Sequence, residues 1–237
     1  YLKERLTNGK VEIEIKDSLN NLIQTLPGTI RKGLNKVYWN LRETPPKVAS
    51  GSTKMEAAGF TAPMVLPGHY QVVLHVKDQT YSQTLTCVED PQNTLYTSEQ
   101  RKHVYQKAQE LKTLFQSINT LIDSLNEIQN ALKKDSVTFR KNKTSGSYYK
   151  ELQKIKSKLM ATTQTSIFAD EERLREKVSK LYGAFCEMES APNETQLESI
   201  RDLSTEFKTT SNDYRRVQEH YYKTYLQSLK KTERLSH

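Results

Sequence analysis

The side chains that could hold a transition metal or run acid-base chemistry are five histidines (His69, His75, His103, His220 and His237) and two cysteines (Cys87 and Cys186). None of the histidines stands at a metal-ligand spacing from another or from a cysteine, so no zinc or iron centre is expected. Gly68, Gly146 and Gly183 are isolated, which leaves no glycine-rich loop to cradle a phosphate. Cys186 has no helix start beside it, and Ser145-Gly146-Ser147 has no strand-turn-helix context, so neither reads as an activated nucleophile. Glu12 and Glu14 share a face, but on a polar strand edge rather than as a glycosidase pair. The expectation is a chain with no catalytic residue, no metal and no cofactor.

Charge supplies one feature with a partner chemistry. The net charge of +8 is concentrated between Lys133 and Lys158, where Lys133, Lys134, Arg140, Lys141, Lys143, Lys150, Lys154, Lys156 and Lys158 face only Asp135 and Glu151. Phe139, Tyr148 and Tyr149 are interleaved with them. The plainer reading is a solvated, mobile loop between helices. The functional one is contact with an anionic polymer or a lipid headgroup, led by Lys133, Lys134, Arg140, Lys141, Lys143 and Lys150. No recognition motif accompanies the charge, so nucleic acid is not the expected partner. Near the C-terminus Tyr221, Tyr222 and Tyr225 read as helix-bundle core and rim, and as a partner surface if exposed.

The elements that must position these residues follow two rhythms. From Leu66 to Asp90 the chain reads as a hairpin: Tyr70, Val72, Leu74 and Val76 alternate with Gln71, Val73, His75 and Lys77, Lys77 to Thr80 makes the turn, and Tyr81, Leu85 and Cys87 lie on the return strand. Before it, Val11, Ile13 and Ile15 alternate with Glu12, Glu14 and Lys16. Leu22 to Leu26 runs back towards Pro27-Gly28, Val37, Trp39 and Leu41 suggest another strand, and Tyr1 to Leu6 a further one. Trp39, the single tryptophan, is the expected core anchor. Between Glu43 and Leu66, Pro45-Pro46, Ser50-Gly51-Ser52 and Pro63 interrupt any period, giving a long loop that is either a contact surface or disordered. Six or so short strands point to an immunoglobulin-like antiparallel β-sandwich over residues 1–90.

Beyond Pro91 the period lengthens to about three and a half. Thr97-Ser98-Glu99-Gln100 offers a capping box, and Val104, Ala108, Leu111, Phe115, Ile118, Ile122 and Leu125 form one apolar seam. Further seams run through Tyr148, Leu152, Ile155 and Leu159, through Leu174, Val178, Leu181 and Phe185, and from Leu197 to Tyr225 behind a second box at Asn193 and Gln196. The pattern predicts helices over about 98–134, 148–164, 170–190 and 193–231, an up-and-down four-helix bundle across 91–237. The fold class is therefore α+β in two domains. Cys87 and Cys186, in different halves, read as two separate buried thiols.

Several runs carry a family resemblance: Val11-Glu12-Ile13-Glu14-Ile15-Lys16-Asp17, Thr25-Leu26-Pro27-Gly28, Lys32-Gly33-Leu34-Asn35-Lys36-Val37-Tyr38-Trp39-Asn40-Leu41-Arg42, Leu66-Pro67-Gly68-His69-Tyr70-Gln71-Val72 and Tyr81-Ser82-Gln83-Thr84-Leu85. In this order they resemble the segment that follows the β-propeller in exported bacterial proteins with neuraminidase-type Asp-box repeats, often labelled sortilin-like or glycosyl-hydrolase-like. The sandwich is similar to the immunoglobulin-like domain of flagellar hook-capping proteins. Leu181-Tyr182 and Ala191-Pro192-Asn193-Glu194-Thr195-Gln196 resemble the helical tail of the same propeller proteins. The resemblance implies an exported chain, periplasmic or at the outer membrane and cell surface. It also implies an upstream propeller on the same polypeptide that would carry any hydrolase activity, since no Asp-box motif occurs here. On this reading the chain is not an enzyme but a binding and scaffolding region with a protein partner in the cell envelope. The alternatives are an accessory module that holds glycan for a glycoside hydrolase, and anionic-polymer binding through 133–158. No run of about 18 apolar residues is present to span a bilayer, and the opening residues read as strand rather than export leader, as if the chain began inside a longer one.

Overall fold

Alternating Val11, Ile13 and Ile15 build the first strand of a four-stranded antiparallel sheet. The computed structural model describes residues 1–7, 9–51, 57–93, 96–134, 143–162 and 171–233. Strands β1 (Val11–Lys16), β2 (Leu22–Pro27), β3 (Gly68–Val76) and β4 (Gln79–Cys87) lie in the order β2-β1-β3-β4. Asp17 shapes the first turn, its Oδ1 accepting from the amides of Leu19 at 2.9 Å and Asn21 at 2.8 Å. Pairing of Ile15 with Val72, Ile13 with Leu74 and Val11 with Val76 collects the aliphatic side chains on one face. Glu12 and Glu14 oppose His75 and Val73 on the other. The long apolar helix α1 (Ser98–Lys134) follows, then α2 (Lys143–Leu159), α3 (Leu174–Cys186) and α4 (Glu194–Glu233). The protein is thus α+β, one four-stranded antiparallel sheet and four helices among the described residues.

Both capping boxes are formed. The Gln100 amide donates to Thr97 Oγ1 at 3.2 Å and the Thr97 amide to Gln100 Oε1 at 3.0 Å. Asn193 and Gln196 make the same reciprocal pair, each bond 2.9 Å. These side chains satisfy backbone donors that a helix start leaves without partners.

Other boundaries differ from the periodicity. The extended runs at Leu2 and around Trp39 are not strands. Val37 and Trp39 are half-buried while Lys36, Tyr38 and Asn40 are exposed, so the alternation is real, but no ladder forms along it. Leu41 then adopts a φ of 59°, which ends the extended run. Only isolated bridges, Leu2 with Gly33 and Arg42 with Met64, join this layer. Period two reports an extended chain lying on a surface; it does not guarantee a hydrogen-bonded neighbour. Helix α2 begins at Lys143 and ends at Leu159, rather than spanning about 148–164, and α3 covers Leu174–Cys186 rather than about 170–190.

Two compact units divide the chain. The first, here the sheet unit, contains Tyr1–Pro45, Phe60–Gln109 and Gly183–Ala191; the second, the helical unit, contains Pro46–Gly59, Glu110–Tyr182 and Pro192–His237. The change of periodicity at residue 90 places a boundary by pattern, whereas these units are defined by packing, so α1 and α3 each contribute to both. In the helical unit Leu111, Phe115, Ile118, Ile122 and Leu125 are buried together with Tyr148, Leu152, Leu159, Leu174, Val178 and Tyr182. The segment after Pro46 is fixed to α1 there: the Ala49 amide donates to buried Asn119 Oδ1 at 2.8 Å, and Asn126 Nδ2 donates to the Ser50 carbonyl at 3.3 Å. Pro46 and Ala49, three residues apart, are buried and Lys47 and Ser50 exposed, as a proline-led extended strap with three residues per turn would place them.

Candidate functional site

The apolar face of the sheet ends in an open groove. Ile13 and Val11 from β1, Leu74 and Val76 from β3 and Tyr81 from β4 form its floor, and Leu2, Val37 and Asn35 from the extended layer form its wall, enclosing about 640 Å³. The layer is held by paired bonds between Leu2 and Gly33, 2.9 and 2.8 Å, and by the Leu6 amide donating to the Ile30 carbonyl at 3.1 Å. Gly28 is needed where the layer departs from the sheet: a Cβ there would meet Val11 Cγ1 at 2.4 Å. Tyr81 is 55% exposed and Leu85 38% exposed, so the β4 side of the face is uncovered. Among the described residues Lys3 is the one charged side chain lining the groove. Such a surface suits apolar or aromatic groups.

Also in the sheet unit, a polar centre gathers on Glu43, which is buried. Gln109 Nε2 donates to its Oε1 at 2.5 Å, and the Tyr105 hydroxyl donates to the same oxygen. Burial, then the bond and charge of Glu43, raise the Tyr105 phenol well above its ordinary range. Next to it Arg42 Nη1 donates to the carbonyls of Ala62 at 2.6 Å and Cys186 at 3.0 Å, and Nη2 to Glu187 Oε2 at 2.9 Å. Cys186 is the last residue of α3, so the guanidinium satisfies a carbonyl the helix leaves open and stops it there. Trp39 Nε1 donates to the Arg42 carbonyl at 2.9 Å, and its ring meets Tyr70 edge-on at 5.6 Å. Trp39 is therefore half-buried and structural. This cluster was not legible beforehand, because Arg42, Glu43 and Glu187 look like ordinary surface charges; the one hint was their position beside Trp39 and the Pro45-Pro46 break.

On the opposite sheet face, Glu14 accepts from Lys16 at 2.9 Å and lies 3.2 Å from His75 Nε2. Lys16 first and His75 second hold its carboxyl below the usual range, so at neutral pH it is an ion-pair member rather than an acid. Neither Cys87 nor Cys186 is in a disulfide. Cys87 is only half-buried, and burial pushes its thiol up, which slows reaction at neutral pH.

In the helical unit the basic residues meet the structure unevenly. Lys133 and Lys134 end α1 and are exposed, Lys143 opens α2, and Lys150 is exposed on it; Arg140 and Lys141 lie outside the described residues. From residue 143 the basic stretch is therefore helix, not loop. Lys133 Nζ sits 5.2 Å above the Tyr149 ring. Lys156 donates to Asn126 Oδ1 at 2.6 Å, and burial first, then the charges of Lys133 and Arg175, lower its pKa. Tyr221 stacks on buried Tyr148 at 5.5 Å while Tyr222 is 49% exposed; Tyr225 falls within α4, its side chain outside the described residues. Among the described residues no three His, Cys, Asp or Glu side chains converge on a metal-sized site, and no helix is long and apolar enough to cross a membrane. No protein-family profile matches the chain, and neither a curated protein nor a solved structure is detectably similar to it.

Proposed function

We propose that this chain is a non-catalytic binding and scaffolding region that assembles with another protein through its sheet unit. The observation that carries the reading is the apolar groove beneath Tyr81, an exposed and nearly uncharged surface with a volume suited to side chains of a partner. The finer architecture belongs to the same proposal: an immunoglobulin-like sandwich, with the Leu2–Gly33 and Arg42–Met64 bridges as its reduced second layer, and an up-and-down four-helix bundle. The Tyr70 hydroxyl, which donates to the Leu66 carbonyl at 2.6 Å near the start of β3, supports the first, because such a tyrosine corner recurs in sandwiches of that kind. Contacts of α2 with α4, Tyr148 to Gln218 at 3.1 Å and Lys158 to Asp213 at 2.9 Å, support the second. Export to the periplasm or cell surface, and an upstream Asp-box propeller on the same polypeptide, complete the reading on the strength of the sequence resemblance alone.

Two variants test it. Tyr81→Lys and Leu85→Lys place charge on the groove margin at exposed positions, so the fold should persist while a partner captured by the wild-type chain from envelope extract is lost. Equal recovery of the same partner by both variants, or substrate turnover by the chain, would sink the proposal. Tyr38, 82% exposed, and Tyr81 favour the glycan-holding alternative, which predicts saccharide binding abolished by Tyr38→Ala. Lys133, Lys134 and Lys150 favour anionic-polymer binding, which predicts salt-sensitive retention on heparin that is lost when all three become Gln.

A further inference from the structure

Among the described residues strand β4 is an outer edge of the sheet, and it lacks the protection that solitary edges carry. Lysine, proline, bulges or a covering loop normally blunt an edge, since its free N–H and C=O groups are a template for another strand. β4 has nine residues, none charged and none proline, and its ladder with β3 runs from Val76–Gln79 to Gly68–Cys87 without a register shift. Every residue from Gln79 to Thr86 is exposed. The turn fixes which backbone groups are free. Lys77 and Asp78 form a two-residue connection with Lys77 at φ 53°, so Val76 and Gln79 close it as a hydrogen-bonded pair. Alternation then directs Gln79, Tyr81, Gln83, Leu85 and Cys87 to β3, and leaves Thr80, Ser82, Thr84 and Thr86 with their N–H and C=O groups pointing outward.

We propose that this edge pairs antiparallel with β4 of a second copy of the chain, about a two-fold axis at Gln83. That centre sets Tyr81 opposite Leu85, Ser82 opposite Thr84 and Thr80 opposite Thr86. The outward-pointing Ser82 and Thr84 become hydrogen-bonded pairs. Gln83 and the Tyr81–Leu85 pairs fall at the positions between, where opposed side chains stand closest. Moving the centre to Ser82 puts Tyr81 against Gln83 and Leu85 against Gln79. Moving it to Thr84 puts Tyr81 against Cys87 and Leu85 against Gln83. Each loses the aromatic–aliphatic pair twice. A two-fold interface must match itself, and among these neighbouring registers one does. Tyr81 belongs both to the groove and to this edge, so the dimer is tested at Gln83 and Thr84, which do not line the groove, and its failure is distinguishable from failure of groove binding.

An edge of nine residues buries less than the roughly 1,600 Å² of a standard interface, so a weak dimer is expected, with a dissociation constant on the order of ten micromolar. Sedimentation equilibrium of the full chain should show dimer at about 200 µM and monomer at about 1 µM. Thr84→Pro removes an outward N–H that β3 does not use and should leave a monomer with an unchanged far-UV spectrum. Gln83→Lys, exposed in the monomer but opposed to its own copy on the axis, should do the same. In a Cys87→Ser background, Gln83→Cys should cross-link on mild oxidation, because the paired Cα atoms fall in the disulfide range, and Tyr222→Cys should not. A wild-type chain that stays monomeric at the higher concentration, a dimer indifferent to both Thr84→Pro and Gln83→Lys, or equal cross-linking at Tyr222→Cys would overturn the proposal.

Discussion

In the helical unit, Phe115, Ile118, Ile122 and Leu125 on α1 and Tyr148, Leu152 and Leu159 on α2 are buried completely. In the strands of the sheet unit Ile15, 2% exposed, comes nearest to that state, Val11, Tyr70 and Val73 are buried but keep 7–8% exposure, and β4 buries nothing. The two units use similar residue types, so the difference lies in geometry. A helix presents one apolar stripe, which neighbouring helices of the same chain can cover. A sheet presents two faces and two edges, and among the described residues one face receives only a thin layer of extended chain while the β4 edge receives none. Fully buried apolar side chains are thereby concentrated in the helical unit, and most of the exposed large apolar ones lie in the sheet unit.

The sharpest way to break that contrast is inside the helical unit. Arg175 and Glu176 form a buried ion pair, Nη2 to Oε1 at 2.7 Å, and Glu176 Oε2 also accepts from the Ala161 amide at 3.1 Å and the Arg173 amide at 3.0 Å. One carboxylate thus ties the end of α2 to the start of α3 while neutralising a guanidinium with no exposure to water. Glu176→Gln keeps the shape and removes the charge, and should cost about 3–5 kcal/mol in urea unfolding followed at 222 nm. A loss below 1 kcal/mol would show that the pair is not desolvated in solution.

A matched pair of truncations measures the contrast directly. Phe115→Ala opens a cavity in a fully buried site and should cost about 3–5 kcal/mol. Tyr81→Ala removes a larger side chain from an exposed edge and should stay within about 0.5 kcal/mol. Similar costs for the two would mean that the edge of the sheet is covered in solution, whether by a second copy or by another partner.

Much of the helical structure was legible in sequence because its signals are local. Caps at Thr97 and Asn193 act over three residues, and the seam from Val104 to Leu125 repeats within two turns. What stayed hidden depends on distant segments. Val37 and Trp39 alternate like a strand, yet whether an extended run acquires a ladder depends on residues far along the chain and on Leu41 taking a positive φ. The start of α2 was missed because Ser145, Gly146 and Ser147 are weak helix formers, while packing buries Ser145 and Tyr148 on one face. Of the candidate sites, the tyrosines and lysines could be named from composition. The groove could not, since its wall and floor come from four separate stretches.

Asn119 extends the argument to a contact invisible in periodicity. It sits buried beside the apolar seam, its Nδ2 donating to the Phe115 carbonyl at 2.7 Å and its Oδ1 accepting from the Ala49 amide. Asn119→Ala leaves that amide without its acceptor and should cost about 1–3 kcal/mol, with faster amide exchange across 46–51. Unchanged exchange there would mean that the strap is held without it.

Alkaline pH offers the gentlest separation of the two units. Burial pushes the Tyr70 phenol up to about 12, and Tyr105 is raised by burial and by Glu43. Both belong to the sheet unit, and in the unfolded chain each ionises near the ordinary value of about 10. Their folded values lie above the unfolded one, so the stabilisation is fully present below about pH 10 and is lost as pH rises towards 12 and beyond. Trp39 packs on Tyr70 and is the single tryptophan, so its fluorescence reports this unit alone, while ellipticity at 222 nm follows mainly the helices. Between pH 10 and 12 the tryptophan signal should be lost before the helical one, and Tyr70→Phe with Tyr105→Phe should delay that loss, at the expense of a lower melting temperature at pH 7 from the missing hydroxyl bonds. Simultaneous loss of both signals, unmoved by the double substitution, would show that the buried phenols do not set the alkaline limit of the sheet.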